Sequence, residues 1–334
     1  MGVKAHGTVA LAERYRDRLP IDADTPIVSL GEGGTPLLLA PRLSEELGIE
    51  LYVKFDGANP TGSFKDRGMT IAVSKALQEG ARAVICASTG NTAASASAYA
   101  ARAGLPAVVL VPEGAVASGK LAQSRALGAR VLALRGTFDD ALRISRELGE
   151  RGEFAVVNSG YNDYRVEGQK TVAFELLEEL GRVPDVVALP YGGGGNSTAI
   201  VRGFQEAGQG TPRLLPGEAA QRPTTFATAI RIADPVHARE VERALDVAGG
   251  EIVTLSEEAL LSAWRDLAAK EGIFCEPASA AGIAALRQAP VEPGSLVVCV
   301  VTGHGLKDAD AATSHSPEPT PIDADADAVA RAAQ

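Results

Sequence analysis

Lys65 has a sequence setting that favours chemical use of its amine. It lies in residues 59–68, Asn-Pro-Thr-Gly-Ser-Phe-Lys-Asp-Arg-Gly, where a turn is predicted, Ser63 could cap a helix, and the helix should begin near Lys65. A helix start favours anions, so a lysine there is held toward its neutral form, which can attack a carbonyl carbon. The competing interpretation is a solvated surface lysine beside Asp66 and Arg67. The three further segments described below favour the first interpretation.

A second polar segment, residues 87–92, follows directly on the apolar run AVIC. Four of its side chains carry a hydroxyl or an amide: Ser88, Thr89, Asn91 and Thr92. Ordinary helix capping explains one such residue, but hardly four among five consecutive positions. The segment therefore predicts a site for an anion or another polar ligand at a helix start.

A third segment, residues 190–196, lies between a predicted strand and a predicted helix. It reads Pro-Tyr-Gly-Gly-Gly-Gly-Asn, and such a glycine run can curl its N–H groups around a phosphate. A flexible turn is the alternative interpretation. No Gly-Lys-Ser/Thr follows, and the G-x-G-x-x-G spacing is missing, so neither common nucleotide-binding motif is present.

A fourth segment, Val-Thr-Gly-His-Gly-Leu-Lys-Asp at residues 301–308, follows the apolar run LVVCV. Thr302 stands where a strand should end, and its hydroxyl could face the nitrogen of a heterocycle. The alternative is a glycine-rich turn. We predict a structural role for His304, because a lone histidine is more often structural than catalytic.

Composition excludes several function classes. The net charge of −10 argues against nucleic acid as a partner, so an anionic ligand must be held by local donors. The three cysteines have no metal-ligand spacing, and we predict no metal site; Cys86 and Cys299 should be small buried apolar residues. We find no signal-peptide pattern and no apolar run of membrane-spanning length, so we expect no membrane partner and a cytoplasmic location.

Short apolar runs alternate with helical stretches from residue 83 to 158, including a predicted helix over residues 119–129 and a predicted strand over residues 154–158. The alternation resumes after residue 169. This pattern predicts an α/β fold of two doubly wound lobes with mainly parallel sheets. Ligands bind such sheets at the carboxyl ends of the strands, where the polar segments above fall. We expect residues 1–60 and 160–334 to form a larger lobe, residues 61–159 a smaller lobe, and residues 310–334 a solvated tail.

Together the four segments resemble the threonine synthase family, pyridoxal-phosphate (PLP) enzymes of fold type II. The matching stretches span nearly the whole chain in family order: GEGGTPL (31–37), NPTGSFKDRGM (59–69), CASTGNTAASA (86–96), KLAQ (120–123), VNS (157–159), VEGQKT (166–171), ATAIRI (227–232), EPASAAGIA (276–284) and TGHGLKD (302–308). SFKDRG together with STGNTA is highly specific for this branch.

The resemblance implies a role for each cofactor-facing residue. Lys65 would bond the PLP aldehyde and later shuttle protons, Asn91 would bond the 3′-oxygen, and Thr302 would face the pyridine nitrogen. A neutral hydroxyl there would not enforce ring protonation. The cofactor phosphate would be held by the glycine loop: Gly192, Gly193, Gly194, Gly195 and Asn196.

The resemblance also implies a substrate and a reaction. The enzyme would convert O-phospho-L-homoserine and water to L-threonine and phosphate, with proton removal at Cα and then at Cβ before the γ-phosphate leaves. Four residues match family positions for the substrate phosphate: Thr92, Asn158, Ser159 and Arg165. Ser88 and Thr89 would help to hold the substrate carboxylate. Family habit implies a homodimer.

Three departures from the family pattern leave alternatives open. The loop has Gly193 where threonine synthases usually have an asparagine. Its four consecutive glycines resemble the corresponding loop of serine/threonine dehydratases. The stretch 203–225 is shorter than expected, which predicts loss of a helix turn or of part of a strand. Arg165 lies one residue further from Asn158 than usual. A related PLP lyase such as threonine dehydratase, and a non-catalytic homologue, are therefore the competing hypotheses.

Overall fold

The computed structural model describes residues 9–115 and 119–333. In this part of the chain, ten strands form two separate sheets. Their bounds are β1 (Leu37–Leu39), β2 (Glu50–Phe55), β3 (Val84–Ala87), β4 (Ala107–Pro112), β5 (Arg130–Leu134), β6 (Ala155–Val156), β7 (Val186–Pro190), β8 (Arg213–Ala219), β9 (Val253–Leu255) and β10 (Leu296–Val301).

Helices cover both sheets. The α-helices of the described residues are α1 (Leu11–Arg14), α2 (Pro41–Leu47), α3 (Lys65–Gln78), α4 (Asn91–Ala103), α5 (Ala122–Ala126), α6 (Phe138–Glu150), α7 (Asp163–Gln169), α8 (Thr171–Leu180), α9 (Gly195–Ala207), α10 (Ala238–Ala248), α11 (Glu257–Glu271), α12 (Ala281–Leu286), α13 (Ala309–His315) and α14 (Ala326–Ala332). Short 3₁₀ helices lie at Arg16–Arg18, Asp56–Ala58, Glu113–Ala115, Gly119–Leu121, Thr228–Ile230, Pro277–Ala280 and Gly305–Asp308.

The two sheets are built almost entirely from parallel strand pairs. The larger sheet has the order β1-β2-β10-β7-β8-β9, and the smaller has the order β5-β4-β3-β6. Only the edge pair β1–β2 is antiparallel among the described strands. The predicted α/β fold with mainly parallel sheets is confirmed.

The central strands are buried on both faces, because helices pack on each side of a parallel sheet. Every residue of β10 is buried, as are those of β3 and β7. Cys299 and Cys86 lie in these strands and are fully buried, which confirms their prediction as small core residues. Cys275, which the sequence did not place, is also buried, and its carbonyl accepts a hydrogen bond from Trp264 Nε1.

The start of α3 at Lys65 agrees with the sequence, but the predicted cap does not. Phe64 occupies the capping position, and no side chain caps this helix. Ser63 Oγ has no hydrogen-bond partner among the described residues, so the prediction that Ser63 caps α3 was wrong. Asp66 instead accepts hydrogen bonds from the backbone and hydroxyl of Thr61, which fixes the turn before the helix.

Several element lengths differ from the sequence prediction. The helix predicted after residue 118 is a 3₁₀ turn followed by the five-residue α5, and the strand predicted near residue 155 is the two-residue β6. The stretch 203–225 contains the seven-residue β8, which pairs with β7 and β9.

The end of the chain lies outside both sheets. Residues 316–327 and 329–333 are exposed, whereas the His315 ring packs 4.9 Å from that of Phe226. Across the ranges that the structure describes, no helix combines the length and apolar character needed to cross a bilayer.

Candidate active site

The segment that precedes Lys65 pairs with the segment that follows β10. The backbone N–H of Phe64 donates to the Thr302 carbonyl at 2.9 Å, and Ser63 forms a β-bridge with Gly303. Two segments that lie more than 200 residues apart in sequence are thereby joined at the carboxyl end of the larger sheet. Lys65 and Thr302, both predicted as cofactor ligands, are brought together.

The Lys65 amine is placed so that its neutral form is favoured. The side chain is half-buried, with Nζ 4.4 Å from the centre of the Phe64 ring. Burial and the positive charge of Arg165 lower the Lys65 pKa to about 7, against an opposing effect of Glu276. A lysine with this pKa exchanges its proton readily near neutral pH, as nucleophilic and acid–base catalysis require.

Arg165 is buried with most of its hydrogen-bonding capacity unused. Its Nη1 donates to the Val157 carbonyl at 2.6 Å, whereas Nε and Nη2 have no partner among the described residues. Burial lowers the Arg165 pKa to about 10. An unpaired guanidinium edge is costly to bury, and its fork geometry suits the oxygens of a phosphate.

Asn158 joins the second polar segment to the loop after β6. Its amide nitrogen donates to the Ala87 carbonyl at 2.9 Å, and its amide oxygen accepts from the Ala87 N–H at 3.0 Å. These two hydrogen bonds hold the loop after β6 against the end of β3. Asn158 is also one of the residues predicted to bind the substrate phosphate. Ser159, the next residue, is half-buried.

The second polar segment forms the turn from β3 into α4. Ser88 Oγ accepts a hydrogen bond from the Gly90 N–H at 3.2 Å. Thr89, Asn91 and Thr92 are half-buried around the first turn of α4. The structure thus presents these side chains and the first N–H groups of the helix together.

Glu276 lies opposite Asn91 and was given no role from the sequence. The Asn91 amide donates to both Glu276 oxygens at 3.0 Å, and the Glu276 N–H donates to the Gly303 carbonyl. Burial raises the Glu276 pKa, although the hydrogen bond from Asn91 acts against it. The stretch EPASAAGIA was noted as a family match, but nothing in its spacing indicated a contact with Asn91.

The hydroxyl of Thr302 is hydrogen-bonded to that of Ser279. Like Glu276, Ser279 was given no role from the sequence. The two hydroxyl oxygens lie 3.0 Å apart, and Ser279 Oγ also accepts from the Gly303 N–H at 2.8 Å. The predicted structural role of His304 is confirmed, since its Nδ1 accepts from the Leu306 N–H and caps the short helix there.

The glycine loop connects β7 to the start of α9. Gly194 has φ of 87°, a conformation that favours glycine, and the helix begins at Gly195. Two buried polar atoms of the first turn, Asn196 Nδ2 and Ser197 Oγ, have no partner among the described residues. Free N–H groups at a helix start together with unpaired donors form a cradle suited to a phosphate.

Two further residues beside this loop, Gln169 and His237, were missed by the sequence prediction. Gln169 is buried with both amide atoms unpaired in the described part of the chain, and His237 Nε2 is likewise unpaired. Gln169 falls in the matched stretch VEGQKT, but the residues around His237 carry no recognisable motif.

Comparison with known proteins identifies the family. The profile of the family described as "Pyridoxal-phosphate dependent enzyme" matches residues 28–303. The chain belongs to this family. It is therefore a PLP-dependent enzyme, as the sequence predicted. The unpaired donors that follow the glycine loop suit the phosphate of that cofactor. The lowered pKa of Lys65 suits an amine that must react with its aldehyde.

Individual relatives are similar over most of their length. A threonine synthase of Halalkalibacterium halodurans is 49% identical over 323 residues, which covers 91% of this chain and 91% of the relative. A threonine synthase of Synechocystis sp. is 49% identical over 91% of this chain and 85% of the relative. The structure of maize serine racemase, 20% identical, superposes with a TM-score of 0.72 over 84% of this chain and 91% of that chain, and it supports the fold type II architecture.

Proposed function

We propose that this enzyme is a threonine synthase, which converts O-phospho-L-homoserine and water to L-threonine and phosphate. The observation that carries the proposal is the unpaired edge of Arg165, separate from the glycine loop. The loop can hold the phosphate of PLP, so a second buried set of phosphate donors favours a substrate that carries its own phosphate. The similarity to curated threonine synthases supports the same choice.

Lys65 would act as the nucleophile that bonds the cofactor and then as the proton carrier. Bound PLP supplies an electron sink that makes protons on the substrate carbon atoms acidic. The reaction requires proton removal at Cα and at Cβ of the same bound substrate. A Lys65 pKa of about 7 suits this task, because the amine can both accept and release a proton at neutral pH.

The proposed substrate-binding residues form two sets, one for the phosphate and one for the carboxylate of the substrate. Arg165 would bind the phosphate through its free Nε and Nη2 and hold it after it leaves Cγ. The other residues proposed for the phosphate lie in the first turn of α4 and in the loop after β6: Thr92, Asn158 and Ser159. Ser88 and Thr89 would bind the carboxylate at the start of α4.

The proposed cofactor ligands remain those expected from the sequence. The amide of Asn91, fixed by Glu276, would bond the 3′-oxygen of PLP, and the Thr302 hydroxyl would face the pyridine nitrogen. Ser279 can donate to the Thr302 oxygen, which leaves the Thr302 O–H free to donate to the pyridine nitrogen. The PLP phosphate would lie against the glycine loop, Gly192 to Gly195, and Asn196.

The test is to follow phosphate and threonine after O-phospho-L-homoserine is added to the PLP-loaded enzyme. Phosphate and threonine should appear in equal amounts, and a Lys65→Ala variant should produce neither. The all-glycine loop is the feature shared with dehydratases, so 2-oxobutyrate formation from L-threonine is measured in parallel. Efficient 2-oxobutyrate formation without phosphate release from O-phospho-L-homoserine would refute the proposal.

We also propose that the enzyme is a cytoplasmic homodimer whose smaller lobe comprises residues 61–159. The four strands β3 to β6 all fall within that range, and the strands of the larger sheet all fall outside it. Light scattering of the PLP-loaded protein measures the assembly state directly, and a mass of one chain would contradict the dimer.

A further inference from the structure

His237 packs against the glycine loop through its backbone and its ring. Its N–H donates to the Gly193 carbonyl at 3.1 Å. A Cβ placed on Gly194 would lie 3.1 Å from His237 Cβ, and one placed on Gly195 would lie 3.4 Å from His237 Nε2. The imidazole therefore lies beside the first residue of α9, where a phosphate would meet the helix N–H groups.

Two polar side chains beside Gly195 have unpaired atoms. His237 is 9% exposed and Gln169 is 1% exposed. Neither His237 Nε2 nor either amide atom of Gln169 has a hydrogen-bond partner within the ranges that the structure describes. Buried polar atoms without partners are unfavourable, and a ligand rich in acceptor oxygens would give partners to the Gln169 amide nitrogen and to a protonated His237 Nε2.

The groups around the His237 ring determine how readily it takes up a proton. The backbone of Ser159 favours the protonated ring. Three charged groups act on the ring from the elements around it: Glu240 on α10, Lys65 on α3 and Asp163 on α7. Burial lowers the His237 pKa, Glu240 and Asp163 act in the opposite direction, and Lys65 lowers it further.

The protonation state of the ring decides how it can interact with a phosphate. A neutral imidazole has one N–H and one nitrogen with a lone pair, whereas the protonated ring donates from both nitrogens. A phosphate dianion beside Nε2 favours the protonated ring, because the positive charge and the Nε2–H then both act on the phosphate oxygens.

We propose that His237 binds a phosphate monoester dianion at the start of α9 and takes up one proton as that dianion binds. The proton comes from solvent and stays on Nε2, which donates it in a hydrogen bond to a phosphate oxygen. The phosphate is that of PLP or that of the substrate; the substrate alternative rests on the proposed function, and the PLP alternative does not.

The first experiment uses the enzyme freed of PLP and compares binding of PLP with that of pyridoxal, which lacks the phosphate. The variant is His237→Gln, which keeps a neutral donor but cannot take up a proton. If the PLP phosphate is the ligand, loss of a charge-assisted hydrogen bond should weaken PLP binding by about tenfold and leave pyridoxal binding unchanged. Equal weakening of both ligands would indicate a purely structural role and would overturn the proposal.

Proton uptake is measured by calorimetry of PLP binding in two buffers with different ionisation enthalpies, between pH 6.5 and 8.5. The wild-type enzyme should take up one more proton per PLP than His237→Gln. Proton exchange at Lys65 occurs in both proteins and cancels in the comparison. The inference is contradicted if wild type and His237→Gln take up the same number of protons on PLP binding and also have the same KM for O-phospho-L-homoserine.

The second experiment tests the substrate phosphate in the PLP-loaded enzyme. If that phosphate is the ligand, His237→Gln should raise KM for O-phospho-L-homoserine by about tenfold while PLP affinity is unchanged. The rise in KM should be smaller above the pH at which the wild-type His237 loses its proton. An enzyme that fails to use this substrate refutes the proposed function, whereas the comparison of PLP with pyridoxal still decides the role of His237.

Discussion

Gly68 of α3 and Gly168 of α7 lie against each other where the two helices cross. A Cβ on Gly68 would lie 2.3 Å from the Arg165 carbonyl oxygen, and one on Gly168 would lie 2.0 Å from the Arg67 carbonyl oxygen. No side chain fits at either position, so the helix backbones are in direct contact. Because α3 begins with Lys65 and α7 contains Arg165, this crossing sets the separation of the amine and the guanidinium.

The first prediction is that Gly168→Ala separates the two helices. The added methyl group must displace Arg67 or its helix, which should destabilise the enzyme by about 2 kcal/mol and reduce turnover more than PLP binding. Gly114→Ala is the matched control, because Gly114 is exposed and no described residue lies within 4 Å of its Cβ position. Urea unfolding and steady-state kinetics give the two quantities. Wild-type kinetics in Gly168→Ala would show that the crossing does not set the site geometry.

The second prediction is that Arg165→Met changes stability and substrate binding in opposite directions. Removing a buried charge with two unpaired N–H groups should stabilise the PLP-free protein by on the order of 1 kcal/mol. The same change should raise KM for O-phospho-L-homoserine by about tenfold or more, since charge-assisted hydrogen bonds to the phosphate are lost. Thermal unfolding and kinetics measure the two effects, with the exposed Arg146→Met as control.

A loss of stability in Arg165→Met with no change in KM would contradict both expectations. That result would mean that Arg165 serves the fold through Val157 and that another group holds the substrate phosphate.

The third prediction concerns the pH at which Lys65 bonds PLP. The amine must be neutral to react, and its pKa is about 7, so the initial rate of covalent attachment should rise through pH 7 and level off above pH 8. Borohydride trapping followed by mass spectrometry measures that rate. In Arg165→Met the midpoint should move to higher pH, because the positive charge that lowers the Lys65 pKa is removed. A rate that rises only above pH 9 would contradict the burial of this amine.

Local sequence patterns were sufficient for the fold class and for most of the elements. Alternation of apolar runs and helices predicted the parallel sheets, and the glycine segment directly follows β7 as expected. Ser63 was assigned wrongly because a serine before a helix is usually a cap, whereas Asp66 fixes this turn through contacts with Thr61. The β6 strand was overpredicted because an apolar run does not reveal how much of its length finds a partner strand.

The residues that the sequence missed owe their position to tertiary contacts. Glu276 reaches Asn91 from 185 positions along the chain, and the backbone of His237 lies against Gly193. Neither contact leaves a periodicity or spacing in the sequence. Unpaired atoms in a buried position, as at His237 and Gln169, become visible only once the packing around them is known.

A buried ion network anchors α3 to the larger sheet and yields the last prediction. Arg67 pairs with Asp56 at 2.8 Å and with Glu175 at 2.7 Å, and Lys54 pairs with Glu175 at 3.0 Å. Burial would raise the Glu175 pKa, but Arg67 and Lys54 overcome that effect and lower the pKa to about 2. The carboxylate therefore contributes stability that is fully present above its unfolded pKa near 4.5 and is lost as the pH falls toward 2.

Glu175→Gln should thus destabilise the enzyme by about 3 kcal/mol at pH 7, because it leaves two buried cations with one fewer partner. Glu178→Gln provides the control, since Glu178 is 47% exposed and surface pairs contribute about 1 kcal/mol or less. Urea unfolding at a series of pH values measures both. The difference between wild type and Glu175→Gln should shrink as the pH falls from 4.5 toward 2, because protonation then removes the same charge from the wild-type protein. A difference that stayed constant over that range would mean that side-chain packing, and not the charge of Glu175, holds α3 in place.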